Sequence, residues 1–106
     1  MMLTVNISGR AQEDLHSIYK YIAYELKTPQ NAAGQLSRLE KAIFSLKQFP
    51  ERFRLYGKEP WKSRNLRIMP VDNYIVFYIP QTEDGTVTVI RVIYSGRDTD
   101  GQLDTI

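Results

Sequence analysis

Leu3, Val5 and Ile7 alternate with Thr4 and Asn6, the period-two pattern of a short strand with one dry face. Ser8 follows as a candidate N-cap. From there Ala11, Leu15, Ile18, Ile22 and Leu26 recur every three or four residues and draw one apolar stripe along a helix, widened by Tyr19, Tyr21, Ala23 and Tyr24. Thr28-Pro29 interrupts and restarts the chain, with Thr28 as a cap and Pro29 at the first helical position. A second stripe, Ala32, Leu36, Leu39, Ile43, Leu46 and Phe49, then runs to Pro50. Two helices joined by so few residues are predicted to lie antiparallel.

Between Glu51 and Ser63 the periodicity is lost, and a loop containing Gly57 and Pro60 is expected. Three strand candidates follow: Asn65–Met69, Tyr74–Ile79 and Thr86–Tyr94. Val71-Asp72-Asn73 and Gln81–Gly85 read as the turns between them, with Pro70 and Pro80 just outside strands. The predicted class is therefore α+β in the order β-α-α-β-β-β. A helical hairpin covers one face of a four-stranded, mainly antiparallel sheet, and residues 1–106 make a single domain. No further element remains for the other face except the acidic tail, residues 98–106, so that face is expected to stand open.

Composition narrows the function classes. With 42% hydrophobic and 25% charged residues the chain is an ordinary folded protein. It has no cysteine, which excludes disulfides and thiolate sites. No apolar run approaches the roughly 18–20 residues that span a bilayer, and no signal-peptide pattern opens the chain, so a soluble, cytoplasmic protein without membrane contact is expected. Glu13 and Asp14, adjacent on the first helix, do not converge on one ligand and read as first-turn charges favourable to the helix dipole. Metal-ligand spacings and phosphate-loop glycines are missing too, so neither metal nor cofactor is expected.

The net charge of +2 conceals an uneven distribution. Arg52, Arg54, Lys58, Lys62, Arg64 and Arg67 stand against Glu59 alone, whereas Asp98, Asp100 and Asp104 crowd the tail. That basic stretch, with Trp61 in it, fits an anionic partner, nucleic acid or acidic protein; a merely solvated loop is the other reading. Arg91 interrupts the most strand-like run of the chain. A bare charge in a dry core is heavily penalised. It therefore reaches an acid such as Glu40 or Asp72, or stands as a cation on the open sheet face.

The ordered series of motifs resembles the RelE/ParE superfamily of type II toxin–antitoxin toxins over nearly the whole chain. The resemblance rests on the opening strand with Ser8, Ala11, Asp14-Leu15 and Ile18 to Ile22; on Pro29 with Ala32-Ala33; on Leu46 and Phe49-Pro50-Glu51-Arg52; on Leu66-Arg67 with Val71; and on Tyr74 to Tyr78 and Val89 to Tyr94, closing in Gly96-Arg97-Asp98. It implies a growth-inhibitory toxin neutralised by a cognate antitoxin. The target it implies is DNA gyrase in the ParE-like branch, or the ribosome with mRNA in the RelE-like branch, whose members are metal-independent endoribonucleases. An inactive antitoxin-binding module is a further alternative.

For RNA cleavage the resemblance implies Arg67 or Arg64, together with Arg91, on the transition-state phosphate, Lys62 nearby as a further charge, and Tyr94 or Arg97 toward the leaving group. Arg52, Arg54, Lys58, Trp61, Lys62 and Arg64 would hold nucleic acid or partner. The position at the end of the last strand where relatives often carry histidine is Tyr94. The sole histidine, His16, lies beside the first helical stripe and reads as a surface residue. Phe49-Pro50-Glu51-Arg52 and Gly96-Arg97-Asp98 lean toward the ParE-like branch.

Overall fold

The computed structural model describes residues 2–96 together with Gly101 and Leu103. A strand β1 (Thr4–Ile7) leads into a helix α1 (Gly9–Lys20), which widens into a π-helical turn over Tyr21–Glu25. A second helix α2 (Pro29–Ser45) returns across it. Three strands complete the fold: β2 (Arg67–Val71), β3 (Tyr74–Gln81) and β4 (Thr86–Tyr94). The sheet order is β1-β4-β3-β2, with β1 parallel to β4 and the other pairs antiparallel. This is the expected α+β architecture of a helical hairpin on a four-stranded sheet.

Local chemistry explains most boundaries. The Ser8 hydroxyl accepts from the Ala11 N–H at 3.1 Å and starts α1. Thr28 departs from expectation: its hydroxyl donates back to the Ile22 carbonyl at 3.1 Å instead of capping α2, leaving Pro29 to begin that helix. Helix α2 stops at Ser45, before Phe49, although Leu46 stays fully buried just beyond it.

The second predicted strand is shifted, starting at Arg67 and running through Pro70 to Val71. Ile68 turns its N–H outward to the Arg54 carbonyl at 3.1 Å, so Pro70, two residues on, has its nitrogen on the same outer side. That edge therefore loses a donor at no cost to the sheet and resists pairing with another strand. Pro80 likewise lies inside β3, where β2 has already ended; its carbonyl accepts from Asn65 Nδ2 at 3.4 Å. Gly85, at φ 72°, closes the β3–β4 connection in the conformation glycine tolerates best.

The sheet is dry on both faces, which corrects the expectation of an open one. Against the helices lies the larger cluster, including Leu15, Leu39, Ile43, Val76, Tyr78 and Val89. On the other side Leu66, Ile68, Phe77 and Ile93 gather with Leu103, which is 1% exposed. Tyr56 and Trp61 from the long loop pack on the same cluster. The loop and a leucine of the tail thus do what no strand or helix was left to do. Asp98, Asp100 and Asp104 lie outside the described residues.

Candidate functional site

Strand β1 pairs with β4 only as far as Val89, because Ser8 turns the chain into α1. Beyond that point β4 would expose an unpaired edge. Side chains from the start of the helix satisfy it instead. The Ser8 hydroxyl donates to the Ile90 carbonyl at 2.9 Å, and the Val92 N–H donates to Asp14 Oδ2 at 2.9 Å. The same carboxylate receives the fork of Arg91, with Nε at 2.7 Å from Oδ2 and Nη2 at 3.0 Å from Oδ1. The two side chains are 6% and 15% exposed.

Arg91 is therefore an internal cation on an internal anion. It is bound neither to Glu40 nor to Asp72, and it does not stand on an open face. Asp72 instead holds Arg38 at 2.8 Å and Gln35 at 3.0 Å, which keep its carboxyl below the usual range, the hydrogen bond from Arg38 contributing most. Sequence reasoning missed the role of Asp14. The signal was its place three residues after Ala11 and four before Ile18, on the edge of the apolar stripe. Helix α1 begins at Gly9, so Asp14 is past the first turn, where the dipole argument was applied.

Arg67 is occupied as well. Its Nη1 donates to the carbonyls of Glu51 at 3.2 Å and Phe53 at 2.7 Å, while its Nε is buried without a hydrogen-bond partner among the described residues. Across the ladder Arg67 meets Tyr78, and Arg91 meets Phe77. Tyr78 and Phe77 are neighbours in one strand and belong to opposite clusters. The two arginines thus start from opposite faces of the sheet and do not converge on one phosphate, as the RNA-cleavage expectation required.

The Tyr78 hydroxyl donates to the Pro50 carbonyl, and burial pushes its phenol up to about 12, partly offset by Arg67 and Arg52. Tyr94, 48% exposed, rests edge-on against Tyr74 at 5.8 Å. Burial, then Tyr94 and Tyr21, raise the Tyr74 phenol. The Tyr94 ring also lies against Gly96, where an added Cβ would come within 2.6 Å of it. Arg97 lies outside the described residues.

The basic loop divides into two parts. Arg52 is spent on the fold: its Nη1 donates to the Gln48 carbonyl at 2.6 Å and the Phe49 carbonyl at 3.1 Å, its Nη2 to Ser45 Oγ at 2.8 Å. This closes the carbonyl end of α2. Arg54, Lys58, Lys62 and Arg64 are exposed. The Arg64 guanidinium lies 5.1 Å from the centre of the half-buried Trp61 ring. Glu59 accepts from the Ser63 hydroxyl and backbone N–H at 2.7 and 2.9 Å, and those bonds lower its carboxyl. What results is an ordered rim of four cations on a folded loop. His16 is exposed on α1.

No helix among the described residues is long and apolar enough to cross a membrane. No group of three or more His, Cys, Asp or Glu among them is placed to hold a metal ion.

Residues 5–99 match the family model described as the ParE toxin of the type II toxin–antitoxin system, parDE. No curated protein matches the chain by sequence. Among solved structures it is similar to one of the chromosomal ParDE toxin–antitoxin system from P. aeruginosa, with TM-score 0.71 and 16% identity over 88% of this chain and 96% of that one. It is similar to a free-state mutant of the E. coli toxin RelE, with TM-score 0.67 and 15% identity over 100% and 99%. A third likeness is to the RelBE2 toxin–antitoxin complex of Mycobacterium tuberculosis, with TM-score 0.63 and 22% identity over 89% and 99%.

Proposed function

This chain belongs to the family of ParE toxins of type II toxin–antitoxin systems, and from that premise we propose that it arrests growth by binding DNA gyrase in the cytoplasm, as a ligand rather than as a nuclease. The observation that carries this reading is the engagement of both arginines expected at a transition state. Metal-independent RNA cleavage needs a base for the 2′-hydroxyl, charge on the phosphate and an acid for the leaving oxygen. Arg91 is bound by Asp14, and Arg67 is turned onto the carbonyls of Glu51 and Phe53. Tyr94 is exposed, yet a phenol is a poor general base. Blocking an enzyme by binding asks for none of these groups. It asks for a rigid surface.

A cognate antitoxin holds the toxin inactive. Two of the similar solved structures come from a toxin–antitoxin system and a toxin–antitoxin complex, which supports such a partner here. The rim of Arg54, Lys58, Lys62 and Arg64 around Trp61 is the surface we assign to it, because exposed cations beside an aromatic ring suit an acidic peptide.

The test sets two assays side by side. Purified chain is added to gyrase with relaxed plasmid, and to a translating ribosome whose message is read by primer extension. Inhibited supercoiling with an intact message is expected. A cut message with unaffected supercoiling overturns the proposal in favour of a RelE-like endoribonuclease. Growth arrest on induction, rescued by co-expressing an adjacent reading frame, tests the antitoxin.

A further inference from the structure

Phe49 is the most exposed of the large hydrophobic side chains among the described residues, at 80%. Its backbone is left-handed, with φ 49° and ψ 53°. A left-handed non-glycine backbone costs free energy, and the exposed ring lines an apolar groove rather than standing alone on the surface. The fold nevertheless holds them in place. Arg52 grips the carbonyls on either side of the bend, those of Gln48 and Phe49, and Pro50 begins the short 3-10 turn that follows. The ring is thus a rigid knob on a fixed loop.

Beside it opens a groove of about 550 Å³, walled by Leu3, Phe49, Pro50 and Thr82 together with Glu51 and Arg52. An apolar cavity of about 150 Å³ accommodates a benzene ring, so a phenyl group from outside has room. Glu51 has no ion-pair partner among the described residues, whereas Arg52 keeps its charge while capping α2.

One patch therefore carries an aromatic knob, an apolar groove and both signs of charge. Such a surface complements itself under a two-fold rotation. We propose that this face is a homodimer interface, in which Phe49 of each protomer enters the groove of the other and Glu51 faces the partner's Arg52. The two rings meet near the axis, where offset or edge-on contact between aromatics is favourable.

Sedimentation equilibrium of the full, antitoxin-free chain across the micromolar range tests this. The wild type is expected to dimerise. Phe49→Gly removes the knob yet suits the left-handed backbone, so its melting temperature should hold or rise while its dimer dissociation constant rises roughly tenfold or more. Glu51→Lys should weaken the dimer by a smaller factor. Tyr24→Ala, at a 69% exposed tyrosine on the π-helical turn, should leave it unchanged. A wild type that stays monomeric throughout, or a Phe49→Gly chain that dimerises as tightly as wild type, overturns the proposal. An unaltered constant for Glu51→Lys overturns the charge pairing.

Discussion

Two groups of cations in this molecule share a chemistry and differ in everything else. At the free end of β4, Arg91 is withdrawn from water and gripped by Asp14, which also holds the strand's own Val92 N–H. Along the loop after α2, Arg54, Lys58, Lys62 and Arg64 stand in solvent on a scaffold pinned by Trp61, Glu59 and Ser63. The first group ties helix to sheet. The second faces solvent, where Arg54, Lys62 and Arg64 offer charge to whatever approaches. A cation's role is thus set by its burial and by whether the fold has already supplied its counter-charge, and residue type alone does not reveal it.

Breaking the internal pair should separate the two groups most sharply. Asp14→Ala leaves a buried guanidinium without its acid and a strand N–H without its acceptor. It is expected to destabilise by about 3–5 kcal/mol, read as a lower urea midpoint. The double change Asp14→Leu with Arg91→Met should recover part of that loss, because it removes the ion pair as a unit while the Val92 N–H still lacks its acceptor. If Asp14→Ala unfolded at the wild-type midpoint, the pair would not be the tie described.

Tyr78→Phe is a smaller probe on the helix-facing side. Losing the bond to Pro50 should cost about 1 kcal/mol. The phenol also has a pH signature. Its folded value, about 12, lies above the ordinary 10, so its contribution is complete below about pH 10 and is lost as pH rises toward 12, while the unfolded chain ionises first. Alkaline unfolding curves should show this fall in stability for wild type and show less of it in Tyr78→Phe.

Lys62→Ala should change stability by no more than about 0.5 kcal/mol, as expected for an exposed side chain. Its effect should appear instead in antitoxin affinity and in the salt dependence of that affinity. A stability loss as large as that of Asp14→Ala would erase the distinction between the two regions.

Much of the fold was legible along the chain. The stripes of α1 and α2 follow from spacing alone, Ser8 caps as its residue type suggests, and the β3–β4 run is unmistakable in its β-branched and aromatic content. These are local features, encoded within a few residues of where they act. The shift of β2 to Arg67 was not legible, because Pro70 and Pro80 look like breakers until one knows that their nitrogens face an edge rather than a neighbour. The candidate site was read less well. Arg91 was singled out correctly as a residue needing an explanation, but its partner lies 77 residues earlier. Leu103 looked like part of a polar tail, yet it is one of the most buried leucines.

Element order, the helical faces and the concentration of positive charge between Arg52 and Arg67 can all be read from residue order alone. Each is written in short-range periodicity or in simple composition. Which charges are consumed inside the fold and which face solvent emerges once distant segments pack together. That outcome depends on where β1 stops against β4, which side of each arginine meets a carboxylate or a carbonyl, and what the loop and Leu103 bring over the second face. Such pairings join residues far apart in the chain, and the cost of burying an unmatched charge selects among them only once the layers have closed.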